Sequence, residues 1–345
     1  MRYIGNKVNL LDFIYSVVKE KNLPKGTFCD IFSGTANVAK FFKSKGFRVL
    51  SNDLMTYSYV FQKAYIENNK IPQFEGLKTI ISNPDIFKVI NHLNNLEGNE
   101  GFIFKNYCAE GSRKYSKYTR NYFSCENAKK IDTIRDKIQE WKNNDLITEN
   151  EFNILLCSLL EEIPSISNIA GTYGAFLKNN DPRMFKPLLL QVPTLIESDV
   201  KHYCYQKDAN RLIRHIFCDI LYIDPPYNER QYAPNYHLWE SIAVWDKQIT
   251  DTKTGLRPYK HQKSLYCYDS KCVSIFEDLI KNAKCRYMLF SYNTEGVIPY
   301  KEIMRILSSK GKVSVFSHDY RRFKSNSNGK KNKDSLKELL FLVQV

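Results

Sequence analysis

Between residues 9 and 19 the apolar positions are Leu10, Leu11, Ile14, Val17 and Val18, the three-and-four spacing of one helix face. Residues 27–32 then read as a strand, followed by Ser33-Gly34-Thr35 and a helix over 36–43 that Gly46 ends. A second strand over 47–51 closes at Asn52-Asp53, and 57–68 has helical spacing again. This alternation predicts a parallel sheet with helical crossovers. The alternation stops near residue 71, and from there to about 203 the chain reads as helices and loops, clearest over 131–141 and 151–160. It resumes near Cys204. Ile220-Leu221-Tyr222-Ile223 has the unbroken apolar run of a buried strand, and helices are expected over 236–244, 276–282 and 300–307. Further strands are expected over 286–291, 312–317 and 338–343, the last two antiparallel. The simplest organisation is an α/β domain made of residues 1–70 and 204–345, interrupted by a mainly helical insertion over 71–203.

The strand at 220 ends abruptly in Asp224-Pro225-Pro226-Tyr227, because proline donates no ladder hydrogen bond and fixes φ. A carboxylate, a rigid carbonyl and an aromatic ring are thereby presented at the carboxyl end of a strand, where open α/β sheets bind ligands. A flat, weakly nucleophilic amino group could donate one hydrogen to Asp224 and the other to the Pro225 carbonyl while stacking on Tyr227. Those bonds draw electron density toward the nitrogen and favour its pyramidal, nucleophilic form. The chemistry that suits this group is methyl transfer to an amino nitrogen. A strand closed by a plain Pro-Pro turn is the alternative.

Asp30-Ile31-Phe32-Ser33-Gly34-Thr35-Ala36 closes the first strand with one glycine, where backbone can approach a ligand. Neither the G-x-G-x-x-G fingerprint nor a Gly-Lys-Ser/Thr phosphate loop is present. Asp53, at the end of the next strand, is placed to hold ribose hydroxyls or to cap the helix that follows. A glycine turn and a ribose-binding acid without a phosphate loop suit an adenosyl ligand lacking phosphates, such as S-adenosylmethionine.

The formal net charge of +14 points to a polyanionic partner, most simply nucleic acid. Two basic stretches could grip it. One contains Lys105, Arg113, Lys114, Lys117, Arg120, Lys129 and Lys130 with Tyr107, Tyr115, Tyr118, Tyr122 and Phe123 interleaved; the other contains Arg321, Arg322, Lys324, Lys330, Lys331 and Lys333 in a Ser/Asn/Gly-rich loop. Solvated loops are the alternative for both. The nine cysteines are scattered without a Cys-x-x-Cys pair, so neither a zinc site nor a disulfide framework is expected, and a reducing compartment is. The amino terminus reads without a secretory signal, and no apolar run reaches the roughly 18 residues of a membrane span.

Together these blocks resemble the α-class of adenine-specific DNA methyltransferases, the modification enzymes of restriction systems. Four segments carry the resemblance in the family's order: Tyr3-Ile4-Gly5-Asn6-Lys7, Asp30 to Thr35, Lys207-Asp208-Ala209, and Asp224 to Tyr227. The resemblance covers nearly the whole chain. It implies a Rossmann-like S-adenosylmethionine-dependent methyltransferase fold with a helical target-recognition insertion. Tyr3, Lys7, Phe32 and Gly34 would contact cofactor, Asp53 its ribose and Asp208 its adenine. As isolated residues, Tyr3 could equally be a core anchor, Lys7 a solvated helix residue and Asp208 a loop cap. The family loop usually has a second glycine where Ala36 stands. Duplex DNA would be the partner, gripped through Arg113, Lys114, Lys117 and Arg120 and through Arg321, Arg322 and Lys324, with the target adenine flipped from the stack. The expected setting is a monomer on DNA in bacterial cytoplasm, with no metal, any cognate endonuclease acting separately and its existence not legible in the sequence. A carbon-5 cytosine methylase would need a nucleophilic cysteine, and the chain has no Pro-Cys pair. Methylation of RNA adenine or of a protein glutamine, and a catalytically silent DNA-binding regulator, are the rival functions. An aspartate rather than an asparagine at 224 disfavours the protein substrate by family analogy.

Overall fold

The computed structural model describes residues 3–226, 228–294, 296–320 and 336–345. In chain order the elements are α1 (Leu11–Glu20), β1 (Thr27–Asp30), α2 (Asn37–Ser44), β2 (Arg48–Asn52), α3 (Thr56–Gln62), α4 (Ile86–Asn95), α5 (Phe102–Tyr107), α6 (Ala109–Tyr115), α7 (Cys125–Asn143) and α8 (Glu149–Glu162). They continue with β3 (Tyr203–Tyr205), α9 (Ala209–Leu212), β4 (Cys218–Ile223), α10 (Tyr232–Asn235), α11 (His237–Val244), α12 (Asp269–Asn282), β5 (Cys285–Asn293), α13 (Tyr300–Ser308), β6 (Lys312–Tyr320) and β7 (Leu336–Gln344). They divide into two compact units, one of Gly5–Leu54, Val200–Tyr232 and Gln262–Val345, the other of Met1–Ile4, Met55–Asp199 and Ala233–His261.

The first unit is built on a seven-stranded sheet of order β3-β2-β1-β4-β5-β7-β6. Neighbouring strands are parallel from β3 to β5, whereas β7 runs antiparallel to both β5 and β6. Strands covered on both faces are apolar at nearly every position, which is why β4 reads as an unbroken hydrophobic run. Cys29, Leu221, Ile223, Met288, Phe290, Phe341 and Val343 point to one face and join Phe276, Leu279, Ile303 and Ile306 of α12 and α13. The alternate positions Phe28, Ile220, Tyr222, Leu289 and Leu340 are equally buried on the other face, where Phe28 stacks on Phe42 of α2 at 3.7 Å. The order reverses between β1 and β4: the chain leaves β1 toward β2 and β3 on one side and β4 toward β5 on the other. In such sheets the carboxyl ends of the strands at that reversal form a crevice.

The second unit is mainly helical. Its helix ends are closed by buried charged groups from elsewhere in the unit, because terminal N–H and C=O groups have no partner within their own helix. The Glu240 carboxylate accepts from the N–H groups of Thr56 and Tyr57 at 3.1 Å each, capping α3. Asp132 caps α5 through Ile103 and Phe104, at 2.8 Å each. The buried Arg135 donates to the Ile242 and Ala243 carbonyls at the end of α11. Thr148 and Glu151 form a capping box at α8.

Sequence periodicity places the domain boundaries at 70/71 and 203/204, whereas the compact units change over at 54/55 and 199/200, and residues 233–261 return to the helical unit. Side-chain packing accounts for this: Tyr57 and Phe61 of α3 sit against Trp239 of α11, with ring centroids 5.4 and 5.6 Å apart. Helices α4 to α6 and the three-residue β3 are additions that the hydrophobic pattern does not announce. Among the described residues no helix is long and apolar enough to cross a membrane.

Candidate active site

Side chains two residues apart share a sheet face. In register, Asp30 pairs with Tyr222, Tyr222 with Leu289 and Ser291 with Leu340. Asp30, Asp224, Ser291 and Glu338 therefore fall on one side of the sheet, at or just beyond the carboxyl ends of β1, β4 and β5 and at the start of β7. The buried Lys7 completes the group. Its ammonium lies 3.3 Å from Asp224 Oδ1 and contacts Glu338 Oε1, which also accepts from the Ser291 hydroxyl at 3.0 Å. The Asp224 side chain is only 12% exposed. Burial raises its proton affinity, Lys7 opposes that and Glu338 adds to it, so that the carboxyl is pushed up to about 7. Asp30 is pushed up to about 8, by burial first and then by the charge of Asp224, against a 3.2 Å hydrogen bond from Ser33.

The glycine turn lies beside this group. Gly34 adopts φ +52°, and its N–H donates to Asp53 Oδ2 at 2.8 Å. Asp53 thus holds the turn, while the cap position of α3 belongs to Met55. Ala36 has φ +60° and ψ 18°, a left-handed conformation that costs an alanine roughly 1–2 kcal/mol. That geometry explains why a glycine is usual in this place. The buried Asn52 joins the neighbouring loops. Its side-chain amide donates to the carbonyls of Ile31 and Lys207 and accepts from the Lys207 N–H. Asp208, next to this junction, is exposed and accepts from the Arg211 N–H at 3.0 Å as the cap of α9. Phe32 is half-buried, with Tyr266 edge-on at 5.1 Å.

Of the residues singled out from sequence, Lys7 joins this group and Tyr3 does not. Lys7, assigned to cofactor, turns its ammonium to Asp224 and Glu338. Tyr3 belongs to the helical unit, stacked on Tyr236 at 4.5 Å with its hydroxyl 3.1 Å from that of Tyr57. Arg113, Lys114 and Lys117 are exposed, but Arg120 is not. At 2% exposure it donates to the carbonyls of Asn106 and Thr252, so the expectation that it grips DNA is corrected: it fastens the α5–α6 hairpin to a loop of its own unit. Tyr107, Tyr122 and Phe123 are likewise core residues, and only Tyr115 of that series is largely exposed. Tyr227, Arg321, Arg322 and Lys324 lie outside the described residues. Sequence reasoning misses Glu338 and Ser291 as site residues; the available signal is an acid opening an otherwise apolar strand. No group of three or more metal-ligating side chains occurs among the described residues.

A mixed seven-stranded sheet with Asp-Pro-Pro at its topological reversal fits one class of proteins, which similarity to known proteins identifies. Residues 3–306 match the family model for D12 class N6 adenine-specific DNA methyltransferases. The type II methyltransferase M.NlaIII of Neisseria lactamica is 41% identical over 96% of this chain and 95% of its own length. The type II methyltransferase M.FokI of Planomicrobium okeanokoites is 44% identical over all of this chain and 52% of its own, and the modification methylase StsI of Streptococcus sanguinis 41% over all of this chain and 52% of its own. The chain belongs to the D12 class N6 adenine-specific DNA methyltransferase family, and it spans about half the length of M.FokI and StsI.

The raised proton affinity of Asp30 has a consequence for stability. Its carboxyl moves from an ordinary 3.8 to about 8 in the fold, so the native state holds the proton more tightly than the unfolded chain. That stabilisation is complete below about pH 4 and is lost as pH rises toward 8. Asp30→Asn cannot ionise. Urea unfolding across this range should show wild-type stability falling relative to the variant as pH rises; parallel curves would remove Asp30 as a buried neutral acid.

Proposed function

We propose that the chain is a site-specific adenine DNA methyltransferase of the restriction–modification type, transferring methyl from S-adenosylmethionine to the exocyclic amino group of a flipped adenine. The observation that carries this reading is the buried Asp224 carboxylate, held by Lys7 and followed by two prolines at the carboxyl end of β4, in a chain of this family. The cofactor fits the chemistry of the turn. The acidic Asp53 would repel a phosphate, whereas with the bare backbone at Gly34 it suits a sulfonium and a ribose. Phe32, Gly34, Asp53 and Asp208 would hold it, and it supplies an activated methyl group.

Asp224 and the Pro225 carbonyl accept the two amino hydrogens and orient the nitrogen lone pair, and Tyr227 stacks on the base. As the nitrogen becomes positively charged, it releases a proton to Asp224, whose affinity near 7 suits both accepting that proton and returning it to water. Catalysis is mainly positioning. The helical unit, which holds residues 71–199, is assigned target recognition, with exposed Arg113, Lys114 and Lys117 on its surface. The same assignment makes the enzyme a cytoplasmic bacterial protein that acts as a monomer on DNA, with any cognate endonuclease separate.

Incubation with methyl-labelled S-adenosylmethionine and separate duplex DNA, RNA and protein should label the duplex alone, and Asp224→Ala should abolish labelling while binding cofactor. Label in RNA or protein would move the function to a rival substrate, and turnover by Asp224→Ala would remove Asp224 from the chemistry.

Lys114 and Lys117 are assigned to phosphates. Replacing both with Gln should weaken binding to cognate and unrelated duplexes alike. It should also reduce the slope of log affinity against log salt by about one for each phosphate left unneutralised. Weakening confined to the cognate sequence in binding titrations would instead place them on base edges.

A further inference from the structure

Lys7 faces two carboxylates, and only one belongs to the tetrapeptide. Glu338 lies on β7, outside the residues that the family model matches, and opposite Asn293 and His318 in the antiparallel ladder. It is 7% exposed and fixed by the Ser291 hydroxyl. An acid is costly at such a position unless it is paired, and its pairing is to the same ammonium that meets Asp224.

We infer that Glu338 is a positioning residue, which through Lys7 orients Asp224 and sets how firmly that carboxylate holds a proton. The inference rests on the catalytic reading of Asp224. With Glu338 ionised, the Lys7 charge is divided between two carboxylates, and Asp224 feels only part of it. The groups that face Asp224 are Lys7 ahead of α1, Asp30 from β1, Tyr222 from β4 and Glu338 from β7. Lys7 is the cation of this set and favours the ionised acceptor, whereas Glu338 favours the protonated one. Without Glu338 more of the ammonium's charge would act on Asp224, keeping it ionised to lower pH but making it a weaker base for the released proton. Without Lys7 two buried carboxylates would repel each other, and Asp224 would stay protonated at neutral pH, unable to accept the amino hydrogen.

The test is the pH dependence of kcat/KM for methyl transfer to duplex DNA. Glu338→Gln should move the acidic limb downward by about one unit, the scale on which one nearby charge shifts a carboxylate, and lower the plateau rate. Lys7→Met should move the same limb upward, and Lys7→Arg should hold it near the wild-type position. A Glu338→Gln enzyme that loses rate with its limb unmoved would overturn the inference and leave Glu338 a packing residue. Should that variant not fold, Glu338→Asp keeps the acid but withdraws it from Lys7, and its limb should move in the same direction by less; an unmoved limb there is equally fatal. Asp224→Ala, assayed in parallel, separates the two claims. If it turns over, the catalytic reading itself fails; if it is inactive while the Glu338 limb stays put, only the role of Glu338 fails.

Discussion

The buried contact of the Lys7 ammonium with Asp224 and Glu338 is the constraint on which the rest of this site depends. Ionised carboxylates taken out of water are stable only when paired, and removing one partner of a buried ion pair typically costs about 3–5 kcal/mol. Asp30 stands close enough to feel the charge of Asp224, so the group holds more acid than its lysine can neutralise. Burial first, and then this excess of acid, keeps protons on carboxyl groups near neutral pH. On the proposed reading, methyl transfer gains from this, since Asp224 would take a proton from a weakly basic nitrogen and then release it.

The sheet makes the group possible. Parallel strands bring the ends of β1 and β4 side by side, and the reversed β7 brings its first residues to the carboxyl end of β5. Glu338 arrives there only because β7 is antiparallel; in a parallel strand the start of the element would lie at the opposite edge. The prolines after Asp224 stop β4 so that its last carboxylate is presented rather than paired in a ladder. Asn52 and Asp53 hold the adjoining loops by side-chain to backbone bonds, which leaves the glycine turn fixed without a helix cap.

Much of this is legible in residue order. The strands β1, β2, β4 and β5 can be read because strands buried on both faces are apolar runs bounded by turns, and the Asp-Pro-Pro-Tyr stretch because two prolines and a carboxylate have few other uses at a strand end. What escapes depends on partners distant in sequence. Glu338 looks like a solvated strand residue until β7 is paired with β5. Arg120 lies in a basic run and looks like its neighbours, yet the α5–α6 hairpin turns it inward onto carbonyls. Asp208 and Tyr3, both expected at the cofactor, show instead as the cap of α9 and as a ring stacked in an aromatic group of the helical unit. Helix α3 has an uncapped start in its own sequence and acquires its cap from Glu240, far along the chain, which is why its allegiance to the helical unit is hidden.

The most direct measurement of the central claim is the identity of the methylated nucleoside. Duplex DNA treated with the protein and S-adenosylmethionine should be digested to nucleosides and analysed by mass spectrometry. The account predicts N6-methyl-2′-deoxyadenosine as the product. Methyl groups on cytosine, or unmodified DNA under conditions in which the protein is folded and binds cofactor, would contradict it.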